Sequence, residues 1–101
     1  MPDKTTLVVT SEANPAQKDA MQAYIQQVMP LLLSLDGKVI KRSMLTDTYH
    51  GEQLFTYLLV MDFPSKQALV DMFESQAYQS IIPLRDKGFT KIDIFFAEDL
   101  T

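Results

Sequence analysis

Apolar residues recur with two different spacings along this chain, and each spacing indicates one type of element. Residues 5–10 are short and rich in β-branched side chains, which predicts a first strand. Residues 39–46 and 53–63 predict two more strands joined by a turn at 47–52, and residues 91–97 predict a fourth. Between the first two strands the apolar residues keep helical spacing: Met21, Tyr24, Ile25, Val28, Leu32 and Leu35.

The ends of this first helix carry their own signals. Asn14 is suited to cap it, Pro15 to its first position, and Gln17 to the place where a capping box has Glu or Gln. Pro30 lies inside the apolar stripe, so it should either kink the helix or end it with a new turn beginning there. Gly37 is the natural stop.

A second helical segment begins after the third strand. Ser65 is expected to cap it, and Ser75 is expected to interrupt it and to cap a short helix that follows. Pro83 should limit the extent of that short helix. The residues expected to face inward from the two helices are Leu69, Met72, Phe73, Tyr78, Ile81 and Ile82.

The predicted order is βαββαβ, which is typical of an α+β ferredoxin-like fold with a four-stranded antiparallel sheet and helices on one face. Residues 54–61 are nevertheless apolar on both faces: Leu54, Leu58 and Val60 alternate with Phe55, Tyr57, Leu59 and Met61. Phe95 and Phe96 repeat this alternation on the last strand. An open apolar face of this size favours a sheet-to-sheet homodimer, and the alternative is a segment folding over it.

Composition narrows the classes of function. With 101 residues, we expect one domain over 1–101. A net charge of −4 with scattered cations predicts no nucleic-acid and no membrane partner. The absence of cysteine excludes disulfides and thiolate chemistry. Residues 1–4 lack the apolar region of a signal peptide, and a soluble, cytoplasmic protein is the expectation.

Four polar residues lie in apolar surroundings and are the ligand-binding candidates. Arg42 and Arg85 would each seek a carboxylate or a bound anion, and the alternative is an ion pair with a residue such as Asp62 or Asp86. The hydroxyls of Tyr57 and Tyr78 could enter a cavity between sheet and helices, and the alternative is core packing. Together the four resemble a small-ligand site.

Other chemistry has less support in the residues. His50 is the one histidine and precedes Gly51 at a predicted turn, where no converging partner is apparent. Without a histidine cluster or clustered carboxylates we expect no metal site, and we expect no cofactor. The residues leave open whether the protein is an enzyme, and no catalytic residue is assigned.

Four motifs extend over nearly the whole chain: Val28-x-Pro30, Asp36-Gly37-Lys38-x-Ile40-x-Arg42, Val60-Met61-Asp62-Phe63-Pro64-Ser65, and Ser75-Gln76-Ala77-Tyr78-Gln79-x-Ile81-x-Pro83-Leu84-Arg85. In order and spacing they resemble the motifs of a bacterial domain-of-unknown-function family (number thirteen-thirty) within the dimeric α/β-barrel superfamily. Here Asp36-Gly37 replaces the family's frequent Gly-Gly, and Ser75-Gln76 replaces its Ser-Pro.

Three classes of function follow from the fold and the resemblance. The first is a homodimeric protein that binds a small, mostly apolar or carboxylate-bearing molecule. The resemblance also implies a cofactor-independent enzyme of the antibiotic-biosynthesis monooxygenase or lactone isomerase type, with Tyr78 or Tyr57 supplying a proton and an arginine stabilising an enolate. The third is a purely structural dimer. Haem degradation, another activity of the superfamily, is disfavoured because there is no tryptophan and the histidine lies on a turn.

Overall fold

The structure is a computed structural model that describes residues 3–100. Met1, Pro2 and Thr101 lie outside the described residues. The signal-peptide expectation rests on residues 1–4 and therefore lies partly outside them. The four strands and four helices follow one another along the chain in the order β1 (Thr5–Ala13), α1 (Lys18–Leu33), β2 (Lys38–Met44), β3 (Tyr57–Phe63), α2 (Lys66–Phe73), α3 (Gln76–Gln79), α4 (Ile82–Gly88) and β4 (Phe89–Ala97).

The strands form one sheet in the order β2-β3-β1-β4, and every neighbouring pair is antiparallel. The helices lie against one face of this sheet, where they bury a core with Leu7, Met61 and Phe63. The prediction of an α+β, ferredoxin-like arrangement is therefore confirmed. No described helix is long and apolar enough to cross a membrane.

The start of α1 differs from the prediction. Asn14 does not cap the helix; its side-chain oxygen accepts a hydrogen bond from the backbone N–H of Ala16 (3.1 Å), and its carbonyl accepts one from Gln17 (3.0 Å). Asn followed by Pro15 is a favoured pair at the first two positions of a β-turn, so these residues make a turn before the helix. Gln17 takes the capping position without a side-chain bond.

The end of α1 is set one turn beyond Pro30. The helix continues through this proline to Leu33, because the carbonyl of Pro30 still accepts the backbone N–H of Ser34 (3.0 Å). Asp36 then takes the left-handed backbone conformation expected of a helix stop, with φ 61°. Gly37 is needed for space, since a Cβ there would lie 2.6 Å from the ring of Phe63.

The second helical segment is divided into three helices. The side chain of Ser65 accepts from Ala68 N–H (3.1 Å) and that of Ser75 accepts from Tyr78 N–H (3.3 Å), so both predicted caps are confirmed. The expectation for Pro83 is wrong in one respect: it lies in the first turn of α4 and helps to begin that helix. A proline is accommodated there because its missing N–H has no partner inside the helix.

The sheet has two different faces. Residues paired directly across antiparallel strands point to the same side, so the register assigns each row of side chains to one face. We call the face against the helices the covered face and the other the open face. The covered face carries the rows Val39–Met61–Leu7–Phe96, Arg42–Leu59–Val9–Ile94 and Met44–Tyr57–Ser11–Ile92. The open face carries the rows Lys38–Asp62–Thr6–Ala97, Lys41–Val60–Val8–Phe95 and Ser43–Leu58–Thr10–Asp93.

The register confirms that β3 is apolar on both faces, since Leu58 and Val60 lie opposite to Tyr57, Leu59 and Met61. The predicted extension of this strand back to residue 53 is wrong. Leu54 and Phe55 lie in the loop before it, because Met44 at the end of β2 is already paired with Tyr57.

Candidate functional site

A cleft of about 570 Å³ lies between α1 and the covered face of the sheet. Its helical wall consists of apolar side chains, among them Met21, Ile25 and Met29. Its sheet wall is formed by the central strands, where Val9 and Leu59 lie side by side. An apolar cleft of this volume with a few polar groups is the usual form of a small-molecule site.

One end of α1 is held close to α4 beside this cleft. A Cβ on Gly88 would lie 2.5 Å from the backbone nitrogen of Met21, so only glycine allows this approach. The backbone N–H of Asn14 also donates to the carbonyl of Gly88 (2.9 Å). The start of α1 is thus fixed over the β4 side of the sheet, and the cleft opens toward β2.

Arg42 and Tyr57, two members of the candidate group, line the β2 end of the cleft. Arg42 is exposed and forms no salt bridge with any residue in the range 3–100. Asp62, its proposed partner in an ion pair, lies on the open face and accepts a hydrogen bond from Thr6 (2.7 Å). Tyr57 is 42% exposed. These two side chains are therefore free to contact a ligand.

Tyr78 and Arg85 lie elsewhere, so the four candidates do not meet in one place. They line a second, smaller depression of about 320 Å³ between the later helices and β4. Arg85 forms the ion pair with Asp86 that the sequence left as an alternative, with 3.1 Å between Nε and Oδ1. Tyr78 is only 2% exposed, and its ring packs against Phe73 with 4.9 Å between centroids.

Tyr24 joins the two regions, and sequence reasoning treated it only as part of the apolar stripe. It lines the large cleft, and its hydroxyl is 2.9 Å from that of Tyr78. Arg85 Nη1 donates to the Tyr78 oxygen at 3.1 Å, which completes a polar chain from Arg85 through Tyr78 to Tyr24. The signal in the sequence was a tyrosine within a buried stripe, because a buried phenol usually needs a polar partner.

Burial and hydrogen bonding determine the charge states of Tyr24 and Arg85. Burial raises the pKa of the Tyr24 phenol, and the hydrogen bond with Tyr78 raises it further, so Tyr24 stays neutral at physiological pH. Burial alone would lower the pKa of Arg85, but its hydrogen bond to Tyr78 and its pairing with Asp86 raise it. The chain therefore consists of a permanent cation, Arg85, followed by two phenols, of which Tyr24 is held neutral.

His50 contributes nothing to the cleft. His50 is exposed in the loop between β2 and β3 and does not line either cavity. Within residues 3–100 no group of three or more histidine or carboxylate side chains is placed to hold a metal ion. Met44 lines the cleft and is 57% exposed, because it lies on edge strand β2.

Comparisons with solved structures agree with this fold. A protein of unknown function from Rhodopseudomonas palustris, RPA0582, is 16% identical with a TM-score of 0.84, over 100% of this chain and 85% of that one. A "putative antibiotic biosynthesis monooxygenase" from Caulobacter crescentus is 9% identical with a TM-score of 0.65, over 99% and 92%. A dimeric protein of unknown function and ferredoxin-like fold from Bacteroides fragilis is 10% identical with a TM-score of 0.59, over 96% and 97%.

At these identities the solved structures show a shared fold and no more. No curated protein matches the sequence. The family model described as Domain of unknown function (DUF1330) matches residues 6–100, which include all of the cleft residues and the four motifs noted in the sequence. The chain therefore belongs to the DUF1330 family.

Proposed function

We propose that this protein binds a small, mostly apolar molecule with a carboxylate group in the cleft between α1 and the covered face. The observation that carries the proposal is an apolar cleft of about 570 Å³ with an unpaired guanidinium, that of Arg42, on its wall. An apolar cavity recognises the body of such a ligand, and a fixed cation recognises its charged end.

The helical wall suits ligands of variable shape. Met21 and Met29 are partly buried there, and methionine side chains are flexible enough to adapt to irregular apolar surfaces. Leu7 and Met61 lie fully buried on the same covered face, two residues along their strands from Val9 and Leu59, and keep the sheet wall rigid. A rigid sheet wall facing a helical wall of flexible side chains supports binding of several related apolar molecules.

The charged end of the ligand is assigned to Arg42. Because Arg42 pairs with Leu59 in the sheet register, it stands on the covered face beside the apolar sheet wall. A planar guanidinium can bind both oxygens of one carboxylate. Tyr57, two residues along β3 from Leu59, and Ser11, its partner on β1, add hydroxyl groups at the same end.

Calorimetric titration with nonanoate tests this assignment. Substitution Arg42→Gln should weaken binding about tenfold, because a charge-assisted hydrogen bond contributes about 1.5–3 kcal/mol and this one is partly exposed. Lys41→Gln is the matched control, since Lys41 is the neighbouring cation on the open face and should leave the affinity unchanged. Equal losses in both variants, or no binding by the wild type, would contradict the proposal. Native mass spectrometry of freshly purified protein would show a ligand that co-purifies.

A second candidate is a cofactor-independent enzyme of the monooxygenase or lactone isomerase type. It is favoured by Arg42 and Tyr57 lining the same cleft, since these could stabilise an enolate and supply a proton. The fold shared with the Caulobacter crescentus protein also supports it. Enolisation would incorporate deuterium next to the ketone of 8-oxononanoate in D₂O, visible by NMR. Exchange that Tyr57→Phe abolishes would favour the enzyme, and binding without exchange would favour the binding protein.

We also propose that the whole chain acts as one domain that forms a homodimer through the open face. The centre of that face is apolar, with Val8, Val60 and Phe95 in one row, and Phe95 is 52% exposed. The similar Bacteroides fragilis protein is described as dimeric. Sedimentation should give twice the monomer mass for the wild type. Val60→Asp should give monomers, whereas Gln67→Asp, at an exposed position of α2 away from the open face, should remain dimeric.

A further inference from the structure

The two phenols of the hydrogen-bonded group beside the cleft, Tyr24 and Tyr78, carry one more hydroxyl hydrogen than they use between them. Tyr24 and Tyr78 each carry one hydroxyl hydrogen, and their oxygens are 2.9 Å apart, so one hydrogen is used between them. Arg85 already donates to the Tyr78 oxygen. Within residues 3–100 no other side chain or carbonyl accepts from either phenol. One phenolic hydrogen is therefore available to an acceptor that is not part of the protein, such as a bound ligand.

Charge assigns the available hydrogen to Tyr24. The Arg85 guanidinium draws electron density from the Tyr78 oxygen and makes its hydroxyl the better donor of the two. If Tyr24 donated instead, the Tyr78 oxygen would accept from both Tyr24 and Arg85, and the hydroxyl made the better donor would have no acceptor among residues 3–100. In the favoured direction Arg85 donates to Tyr78 and Tyr78 donates to Tyr24. The free hydrogen then belongs to a residue that lines the large cleft.

We propose that the ligand of the cleft carries a neutral acceptor oxygen, such as a ketone carbonyl, that accepts the hydrogen bond of Tyr24. Tyr78 and Arg85 are positioning residues that fix the direction of this bond. The inference rests on the proposed function, because it concerns the same cleft. It adds a second recognised group to the carboxylate assigned to Arg42.

The two polar groups lie over opposite edges of the sheet. Arg42 is on edge strand β2, whereas the Tyr24 ring packs against Phe89, the first residue of edge strand β4, with 5.8 Å between centroids. Three gaps between neighbouring strands, each about 4.8 Å, separate these edges by about 14 Å. A ligand that joins them is therefore an elongated apolar chain with a carboxylate at one end and a carbonyl toward the other.

Two probes that differ by one carbonyl test this inference. Nonanoate has the carboxylate and the apolar body, and 8-oxononanoate adds a ketone near the far end. Calorimetry should show that the wild type binds the keto probe about fivefold more tightly, since a neutral hydrogen bond contributes about 1 kcal/mol. Tyr24→Phe should remove this preference, so that the variant binds the two probes with equal affinity. Tyr49→Phe is the control, because Tyr49 is fully exposed.

The outcomes separate the two proposals. If the wild type binds neither probe, the proposed function and the inference both fail. If it binds nonanoate through Arg42 but shows no preference for the ketone, or if Tyr24→Phe weakens both probes equally, only the inference fails.

Tyr78→Phe tests which of the two phenols donates to the other, because the two possibilities change the preference for the ketone in opposite directions. If Tyr78 donates to Tyr24, its loss leaves the Tyr24 hydroxyl without its orienting donor, and the preference for the ketone falls. If Tyr24 donates to Tyr78, the same substitution releases the Tyr24 hydrogen, and the preference rises. A rise, or no change in a variant with a native circular dichroism spectrum, would overturn the positioning role. Arg85→Lys should retain part of the preference, because lysine keeps a charged donor.

Discussion

The two ends of the cleft are built in opposite ways. At the β4 end, Tyr24 and Tyr78 are 5% and 2% exposed, and their hydroxyls and Arg85 form one hydrogen-bonded chain. At the β2 end, Arg42 and Tyr57 are exposed and have no side-chain partner among residues 3–100. Buried polar groups must be paired within the protein as it folds, whereas exposed ones remain hydrated. Substitutions should therefore affect stability at the first end and binding at the second.

The largest effect is expected where α1 approaches α4. Gly88→Ala would place a methyl group 2.5 Å from the backbone of Met21, and a rigid backbone contact of this kind should lower the free energy of unfolding by about 3 kcal/mol. Urea denaturation measures the loss. Lys87→Ala, at the exposed neighbouring position, should stay within about 0.5 kcal/mol of the wild type. Equal stability of the two variants would mean that the β4 end is not rigidly held.

A smaller effect should separate the two arginines. Arg85→Ala removes the charged donor to the buried Tyr78 hydroxyl, and we expect a loss of about 2 kcal/mol. Arg42→Ala should change the free energy of unfolding by no more than about 0.5 kcal/mol, because its side chain is exposed and unpaired. Thermal or urea unfolding of both variants makes the comparison. Similar losses would contradict the contrast between the two ends.

Alkaline pH should weaken the β4 end selectively. The folded pKa of Tyr24 is raised above its unfolded value of about 10, so its contribution is complete below about pH 10 and is lost as pH rises toward the folded pKa. Relative to Tyr24→Phe, the wild type should lose about 1.4 kcal/mol by pH 11. Urea midpoints from pH 9 to pH 11 provide the measurement. Parallel pH curves would show that Tyr24 ionises normally.

The smallest effect concerns the helix that carries Tyr78. Ser75 accepts from the Tyr78 N–H (3.3 Å) and donates to the Met72 carbonyl (2.6 Å), so Ser75→Ala should cost about 1 kcal/mol. Ser80→Ala is the matched control, since the exposed Ser80 hydroxyl also donates to a carbonyl, that of Ala77 (2.8 Å), but accepts no backbone N–H at the start of a helix. A difference of less than about 0.3 kcal/mol between the two would be evidence that this cap does not help to place Tyr78.

Local signals predicted most of the elements correctly, and their failures have local causes. Ser65 and Ser75 were found as caps because a hydroxyl at a helix start has one dominant role. Asn14 was misassigned because the same side chain also stabilises a β-turn, and Pro15 favours both structures. Pro83 was read as limiting a helix although proline is equally suited to the first turn of one.

The position of the candidate site could be predicted only in part. Strand alternation groups Tyr57 with Leu59 and Met61 on one face. The face on which Arg42 stands depends on its pairing with Leu59 across the sheet, which only the structure shows. Tyr78 and Arg85 could not be assigned to the second depression, since their location depends on how three short helices turn against β4. Tyr24 was missed because helical spacing shows that a residue is buried but does not show what its hydroxyl contacts.

The sequence by itself determined the element order, the apolar faces of helices and strands, and the net acidity. These three properties depend on residues close together in the sequence and on overall composition, both of which can be read directly from the sequence. Only the tertiary structure decided that Tyr24 meets Tyr78, which is 54 residues away in the chain, and that Arg42 stands apart from Arg85. Such pairings depend on the packing of α1 against α4 and on strand register, and a one-dimensional pattern constrains those distances only weakly.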